Sequence, residues 1–174
     1  MAITKIQSES LNLSDNYDFT GNVTGAGESN APSFSAYISS NWSGTTAAWS
    51  KCPFNTVKFD TASGFDTTNY KYTIPSGQGG KWSFTVMQRT QTNTNTSPGH
   101  KYTYVQLRKN GSDLRTSMID PRPYYVEAIN NPMTIVESCN AGDYLELYVL
   151  LDGASLIWYG GSETTEFSGF KISS

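Results

Sequence analysis

Short runs in which apolar and polar residues alternate, each ended by a turn signal, recur along this chain. In residues 144–151 a leucine or valine occupies every second position, and Trp82, Phe84 and Val86 alternate with polar residues in the same way. A period of two places apolar side chains on one face of an extended strand. Because no stretch keeps apolar residues at helical spacing for three turns, the sequence predicts an all-β antiparallel sandwich of eight to ten strands.

The signals between the runs are those of tight turns. Asn110-Gly111 follows the alternating run 101–108, and this dipeptide is typical of a two-residue β-hairpin. Gly142-Asp143 predicts a turn into the long run that follows. Asp152-Gly153 predicts another turn, after which residues 156–159 return as a strand and residues 167–172 close the domain.

The first 28 residues differ from the rest, and we expect two units: an extended arm over 1–28 and a head domain over 29–174. The apolar residues of the arm alternate with polar ones, and a lone ribbon of this length cannot bury its own apolar face. The arm therefore needs a partner, either other copies of itself or a larger body. The alternative is a first strand that lies on the head. The expected anchoring residues are Ile3, Ile6, Leu11, Leu13, Tyr17, Phe19 and Val23.

Charge and hydropathy exclude several functions. The net charge is −3 and no dense lysine or arginine cluster occurs, which argues against nucleic acid as a partner. No window approaches the ~18 apolar residues of a membrane span, so we expect no membrane insertion. The start at Met1 lacks the basic and then apolar layout of a secretory signal, which predicts a protein that is not conventionally secreted.

The sequence contains no pattern that is typical of a catalytic or metal-binding site. His100, the single histidine, follows Pro98-Gly99 in a polar stretch and is expected to be solvated. No nucleophile motif, phosphate loop or metal-ligand spacing is present, so we expect no enzyme, no cofactor and no metal. Cys52 and Cys139 are expected to be buried thiols, although their spacing leaves a disulfide open.

Six motifs in the right order resemble the globular head of complement component 1q, a jelly roll shared with the tumour necrosis factor cytokines. The resemblance covers residues 32–174 and implies a homotrimer. It rests on Phe34-Ser35-Ala36, Val57-Lys58-Phe59-Asp60 with the run 65–75, Gly80-Lys81-Trp82-Ser83-Phe84, Val105-Gln106-Leu107-Arg108-Lys109-Asn110-Gly111, Ala141-Gly142-Asp143-Tyr144-Leu145 and Phe167-Ser168-Gly169-Phe170.

The front of the chain departs from that family, because animal members place a collagen stalk there. Residues 3–13 and 17–25 instead resemble the leader of tail-fibre and other virion structural proteins of tailed bacteriophages. This resemblance implies a trimeric knob on the surface of a phage virion, with capsid or tail proteins as partners. The knob would be a capsid decoration or cement protein or a short fibre. The alternative is the receptor-binding tip of a tail fibre, which would mediate host attachment through a surface receptor or glycan.

The aromatic residues are the remaining candidates for binding. From side-chain alternation we expect Tyr144, Tyr148 and Phe167 near the subunit contacts of the trimer. Possible receptor contacts lie in the loops at 41–46, 91–99 and 121–125, where exposed aromatic rings could stack on a sugar or anchor a protein partner. They are Trp42, His100, Tyr124 and Tyr125.

Overall fold

The computed structural model describes residues 31–92, 100–122, 124, 126–153 and 156–173. The predicted arm at 1–28, with its seven anchoring residues, therefore lies outside the described residues, as does Tyr125. The described residues form twelve strands: β1 (Ser33–Tyr37), β2 (Ser50–Lys51), β3 (Thr56–Asp60), β4 (Phe65–Asp66), β5 (Lys71–Thr73), β6 (Gly80–Thr92), β7 (His100–Lys109), β8 (Ser112–Ile119), β9 (Ala128–Cys139), β10 (Tyr144–Gly153), β11 (Leu156–Trp158) and β12 (Glu166–Ser173).

The strands form two antiparallel sheets of six strands each. In the first sheet β6 is central. β9 pairs with one edge of β6, while β12 and β11 pair with different lengths of its other edge, and β1 and β3 follow beyond β12. In the second sheet β10 is central, with β7 and β8 on one side and β2, β5 and β4 on the other.

Aromatic side chains hold the two sheets together. The Phe34 ring stacks on the Tyr72 ring of the second sheet, with centroids 3.8 Å apart, and meets the edge of Phe167 at 5.0 Å. Trp82 and Phe84 of β6 stack 6.0 Å apart in the same core. All five residues are at most 1% exposed. The alternation predicted for β6 and β10 is confirmed, because every second residue of the two predicted runs, 82–86 and 145–151, is buried in this core.

The predicted hairpin at Asn110-Gly111 is confirmed. Asn110 has φ 54° and Gly111 has φ 78°, the pair of positive values that a type I′ turn requires. The Asn110 side chain also ties this turn to the next one: its amide donates to Asp143 Oδ1 (2.8 Å), and its carbonyl accepts from the Tyr144 backbone N–H (2.9 Å). The hydrogen bond from the Asn110 amide, with a second one from the Asn140 backbone N–H, lowers the pKa of the Asp143 carboxyl.

Two details of the predicted strand layout are wrong. Asp152 and Gly153 still belong to β10, and β11 does not return beside it but crosses to the first sheet, where it pairs with β6. The twelve strands also exceed the expected eight to ten. The additional ones include β2 and β4, which have two residues each and are therefore too short to show an alternating pattern.

The prediction of two buried thiols is confirmed, since Cys52 and Cys139 are both buried and unpaired. Burial raises the pKa of the Cys52 thiol, and it raises that of Cys139 to about 11. Both side chains therefore act as small apolar core groups.

Gly169 of β12 lies where the aromatic core leaves no room for a side chain. A Cβ at this position would stand 2.8 Å from both Phe34 Cε1 and Phe84 Cδ1. We expect Gly169→Ala to lower the free energy of unfolding by about 1–3 kcal/mol through overpacking, as measured by urea denaturation. The matched control is Gly79→Ala, whose nearest atoms are 3.4 Å away and whose effect should stay within about 1 kcal/mol. Equal stabilities of the two variants would contradict this account.

Candidate interaction surface

The outer side of the first sheet is a surface built by five strands, β3, β1, β12, β6 and β9. Residues paired across neighbouring antiparallel strands share one side of a sheet. Two rows therefore face outward together. The first is Phe59–Ser35–Ser168–Thr85–Thr134 and the second is Ser33–Phe170–Ser83–Val136. We call this surface the first-sheet outer face.

Exposed apolar side chains are concentrated on the first-sheet outer face. Phe170 is 52% exposed and Val136 is 61% exposed. The other large apolar residues on this face are Phe59, Met87 and Ile172, and each is more than two-fifths exposed. In the described part of the chain, the exposed large apolar residues elsewhere are Trp49, Met118 and Tyr124, so five of the eight lie on this one face.

Small hydroxyl residues form the floor between these apolar groups. A groove of about 210 Å³ runs between Phe59 and Phe170 over Ser35 and Ser168. The Ser35 hydroxyl donates to Glu166 Oε1 at 2.7 Å, and Lys58 pairs with Glu166 Oε2 at 2.6 Å. The hydroxyls of Ser35, Thr85 and Thr134 are therefore hydrogen-bonded within the sheet. Together with the exposed apolar groups, this makes the face suited to contact with another apolar surface.

The predicted subunit contacts do not come together in the structure. Phe167 is 1% exposed and belongs to the core, so the prediction that it lies at a subunit contact is wrong. The reason is the alternation of β12, which points Phe167 and Gly169 inward and Ser168 and Phe170 outward. Tyr144 and Tyr148 are partly exposed on the outside of the second sheet, where Lys71 lies over Tyr144 at 4.6 Å. Their role in a subunit contact stays a prediction.

Two of the possible receptor contacts are accessible. Tyr124 is 77% exposed. Trp42 is partly exposed, and its ring stacks on Trp158 with centroids 4.4 Å apart. Backbone hydrogen bonds in both directions between Trp42 and Trp158 (3.0 and 2.8 Å) hold this stack in place. Receptor contact by Trp42 and Tyr124 stays a prediction.

His100 is not in an exposed loop, and the expectation of a solvated side chain is wrong. It is the first residue of β7, it is 1% exposed, and its Nδ1 lies 2.9 Å from the Val126 carbonyl oxygen. Its Nε2 has no hydrogen-bond partner among the described residues. A buried imidazole cannot meet a receptor while the head keeps this fold.

The exposed residues of the first-sheet outer face were missed in the sequence, although a signal was present. Phe167 and Phe170 are three residues apart, so they cannot both point inward from one regular strand. Phe59 pairs with Ser35, which directs it outward, and the register of β1 with β3 shifts between Ser35 and Ala36. The sequence pattern alone does not say which side of a strand is covered.

Two features are absent from the described residues. No helix among them is long and apolar enough to span a membrane. No group of three or more histidine, cysteine, aspartate or glutamate side chains in these ranges could hold a metal ion.

Comparison with known proteins places the fold. No family model matches the chain, and no curated protein matches it. The globular domain of zebrafish complement 1qA is a similar solved structure, with 13% identity, a TM-score of 0.55, and coverage of 82% of this chain and 98% of that one. Crystal structures of murine APRIL at pH 8.0 and 8.5 match with 8% identity, a TM-score of 0.60, and coverage of 82% and 100%. The predicted jelly roll of the complement 1q and tumour necrosis factor type is thereby confirmed, and at these identities the likeness concerns the fold alone.

The buried His100 predicts a pH-dependent stability. Burial lowers the pKa of His100 below its ordinary value of 6.5, and the hydrogen bond with Val126 only partly opposes this. The unfolded chain therefore binds more protons than the folded chain below pH 6.5. We expect the free energy of unfolding to have its full value above pH 6.5. It should decrease as the pH drops from 6.5 toward the lowered pKa of His100.

Urea denaturation between about pH 5 and 7 would measure this fall, because ordinary carboxylates titrate below that window. His100→Gln is the control, since His100 is the single histidine and the variant should lose the slope whatever its absolute stability. The same slope in both proteins would contradict the account.

Proposed function

We propose that this chain is a non-enzymatic structural protein of a bacteriophage virion. In this proposal the head is one subunit of a homotrimeric knob, and residues 1–28 anchor the knob to the particle surface. The knob serves as a capsid decoration or cement protein or as a short fibre, with capsid or tail proteins as its partners.

The observation that carries self-association is the first-sheet outer face. Burying a phenylalanine or valine side chain contributes roughly 1.5–3 kcal/mol relative to full exposure, so half-exposed side chains retain on the order of 1 kcal/mol each. A surface that combines Phe59, Val136 and Phe170 has the composition of an interface between copies of one chain. The number of three subunits is supported by the resemblance to the complement 1q head.

The virion location rests on the resemblance of residues 3–13 and 17–25 to phage virion leaders. The virion location also agrees with the apolar residues of this chain, which occur both on the surface of the head and in the arm. The head has an apolar face of its own, and the alternating apolar residues of the arm also need a partner, either other copies of the arm or a larger body such as the particle. Host recognition by the same head is the alternative function, and the exposure of Tyr124 and Trp42 favours it.

A charge on the first-sheet outer face tests self-association. We expect the full chain to sediment as a trimer and Phe170→Asp to sediment as a folded monomer, because the carboxylate would be desolvated at the interface. Met118→Asp is the matched control: Met118 is 51% exposed against 52% for Phe170, but it lies on β8 of the other sheet. A monomeric wild type, or equal behaviour of both variants, would contradict the proposal.

Electron cryomicroscopy of the parent particle tests the location. Density for the head at capsid lattice positions, with the arm on neighbouring capsid subunits, is expected for a decoration protein, and density at the tail is expected for a fibre knob. Removal of residues 1–28 should leave a trimer in solution that no longer binds the particle. A purified particle without this protein would contradict virion function while leaving the self-association result intact.

A further inference from the structure

A continuous row of aromatic rings and guanidinium groups crosses the outside of the second sheet. Each member contacts the next, at 3.9 to 6.0 Å between ring centroids or from a guanidinium carbon to a centroid. We call this set the aromatic row, and in order of contact it consists of Arg122, Tyr102, Tyr104, Trp49, Arg108 and Tyr148.

The register of the sheet explains the aromatic row. Tyr102 and Tyr104 alternate with the buried residues Thr103 and Val105 along β7, so both rings point outward. Tyr148 projects from β10 on the same side, next to Gln106 of β7. Trp49 directly precedes β2, whose two residues pair with β10 at Tyr148 and Val149.

The rings are held in fixed positions by their neighbours. The Arg108 guanidinium lies 3.9 Å from the centre of the Tyr148 ring and also reaches Trp49 at 6.0 Å. Tyr104 meets both Tyr102 and Trp49 edge to face. A surface that is ordered before binding loses less conformational entropy when a ligand arrives.

The charges around the aromatic row are compensated within the chain. Arg108 Nε lies 3.0 Å from Asp113 Oδ1, and Arg122 Nε donates to Asp120 Oδ1 at 2.8 Å. The Arg122 contact lowers the pKa of the Asp120 carboxyl to about 2. The bordering lysines are paired in the same way, Lys51 with Glu146 and Lys101 with Asp152. These ion pairs fit an uncharged partner better than a polyanion.

Groups that form hydrogen bonds lie between the rings. The Gln106 amide donates to the Thr116 hydroxyl at 3.1 Å in the middle of the face. The Tyr102 hydroxyl bonds the Asp152 carboxylate, which with burial raises the pKa of Tyr102. These polar groups are held by partners inside the chain, and Gln106 also accepts from Arg108 Nε at 2.7 Å. The faces of the rings are therefore the groups left to pack against the C–H faces of a sugar ring.

We propose that the aromatic row binds uncharged sugar units of a cell-surface polysaccharide. This inference deepens the host-recognition alternative, on which it rests, and it does not require the trimer because the row lies on the sheet opposite the first-sheet outer face. Tyrosine, tryptophan and arginine also suit a protein partner. The compensated charges and the open sheet surface favour sugars, whereas the apolar groups suited to a protein contact are concentrated on the other sheet.

The test is an array of neutral, N-acetylated, sialylated and sulfated glycans probed with the full chain. Isothermal titration with the soluble oligosaccharide that binds best then gives an affinity per chain that does not depend on oligomeric state. We expect an uncharged glycan to bind, and we expect Trp49→Ala and Tyr104→Ala each to weaken it about tenfold or more. Trp49→Phe and Tyr104→Phe keep an aromatic ring, so each should change the affinity for the glycan by no more than about threefold.

Tyr144→Ala is the matched control, because Tyr144 lies on the same strand as Tyr148 and has its own cation contact with Lys71, outside the aromatic row. It should leave the affinity unchanged. No bound glycan, binding only to anionic glycans, binding that survives both alanine variants, or capture of a protein through the row without any glycan would overturn the proposal. A monomeric Phe170→Asp variant with unchanged sugar affinity separates this result from the test of self-association.

Discussion

The packing of Phe34 against both sheets is the interaction on which the rest of the structure depends. Its ring is fully buried, stacks on Tyr72 from the second sheet and meets Phe167 from its own sheet. The neighbouring Gly169 leaves the space that this ring occupies. Because side chains alternate strictly along a strand, this inward packing also determines what faces outward. A shift of β12 by one residue would bring Ser168 and Phe170 into the core and expose Phe167.

The two outer faces that result differ in chemistry, and the difference separates the two proposed roles. The first-sheet outer face combines phenyl and aliphatic side chains with small hydroxyl residues, of which Ser35, Thr85 and Thr134 are hydrogen-bonded within the sheet. Such a surface gains stability when another apolar surface excludes water from it. The aromatic row combines tyrosine, tryptophan and paired arginines, which keep polar atoms in contact with solvent. One sandwich therefore has a surface suited to assembly and another suited to recognition.

Much of the fold could be predicted from the sequence, whereas the surfaces could not. The alternation in β6 and β10 and the Asn110-Gly111 turn are local signals, and each appears in the structure where expected. The partner of β11 depends on contacts between residues far apart in the chain, so the turn predicted at Asp152-Gly153 did not indicate that β11 pairs with β6 of the other sheet. The burial of His100 likewise involves a residue far along the chain, because its Nδ1 lies 2.9 Å from the Val126 carbonyl oxygen.

The buried side chains of β6 change from apolar to polar along the strand. Trp82, Phe84 and Val86 face the aromatic part of the core, which we call the aromatic half. The buried Gln88 and Thr90 continue the same inward-facing row of β6 into a part that we call the polar half. Gln88 pairs with Asn131 on β9, and among the described residues neither its amide oxygen nor its amide nitrogen has a hydrogen-bond partner.

Each buried polar group of this kind costs about 1–3 kcal/mol of stability. The polar half, which also contains His100, has several such atoms, whereas Tyr72 Oη is the one beside Phe34 in the described aromatic half. The first-sheet outer face at Phe170 and Val136 lies over the rigid aromatic half, in register with Ser83 next to Phe84. The aromatic row begins near the polar half, at Tyr102 beside the buried Thr103. The closely packed aromatic half thus lies under the surface proposed to match a second copy of the chain, whereas the aromatic row is ordered by contacts among its own rings and guanidinium groups.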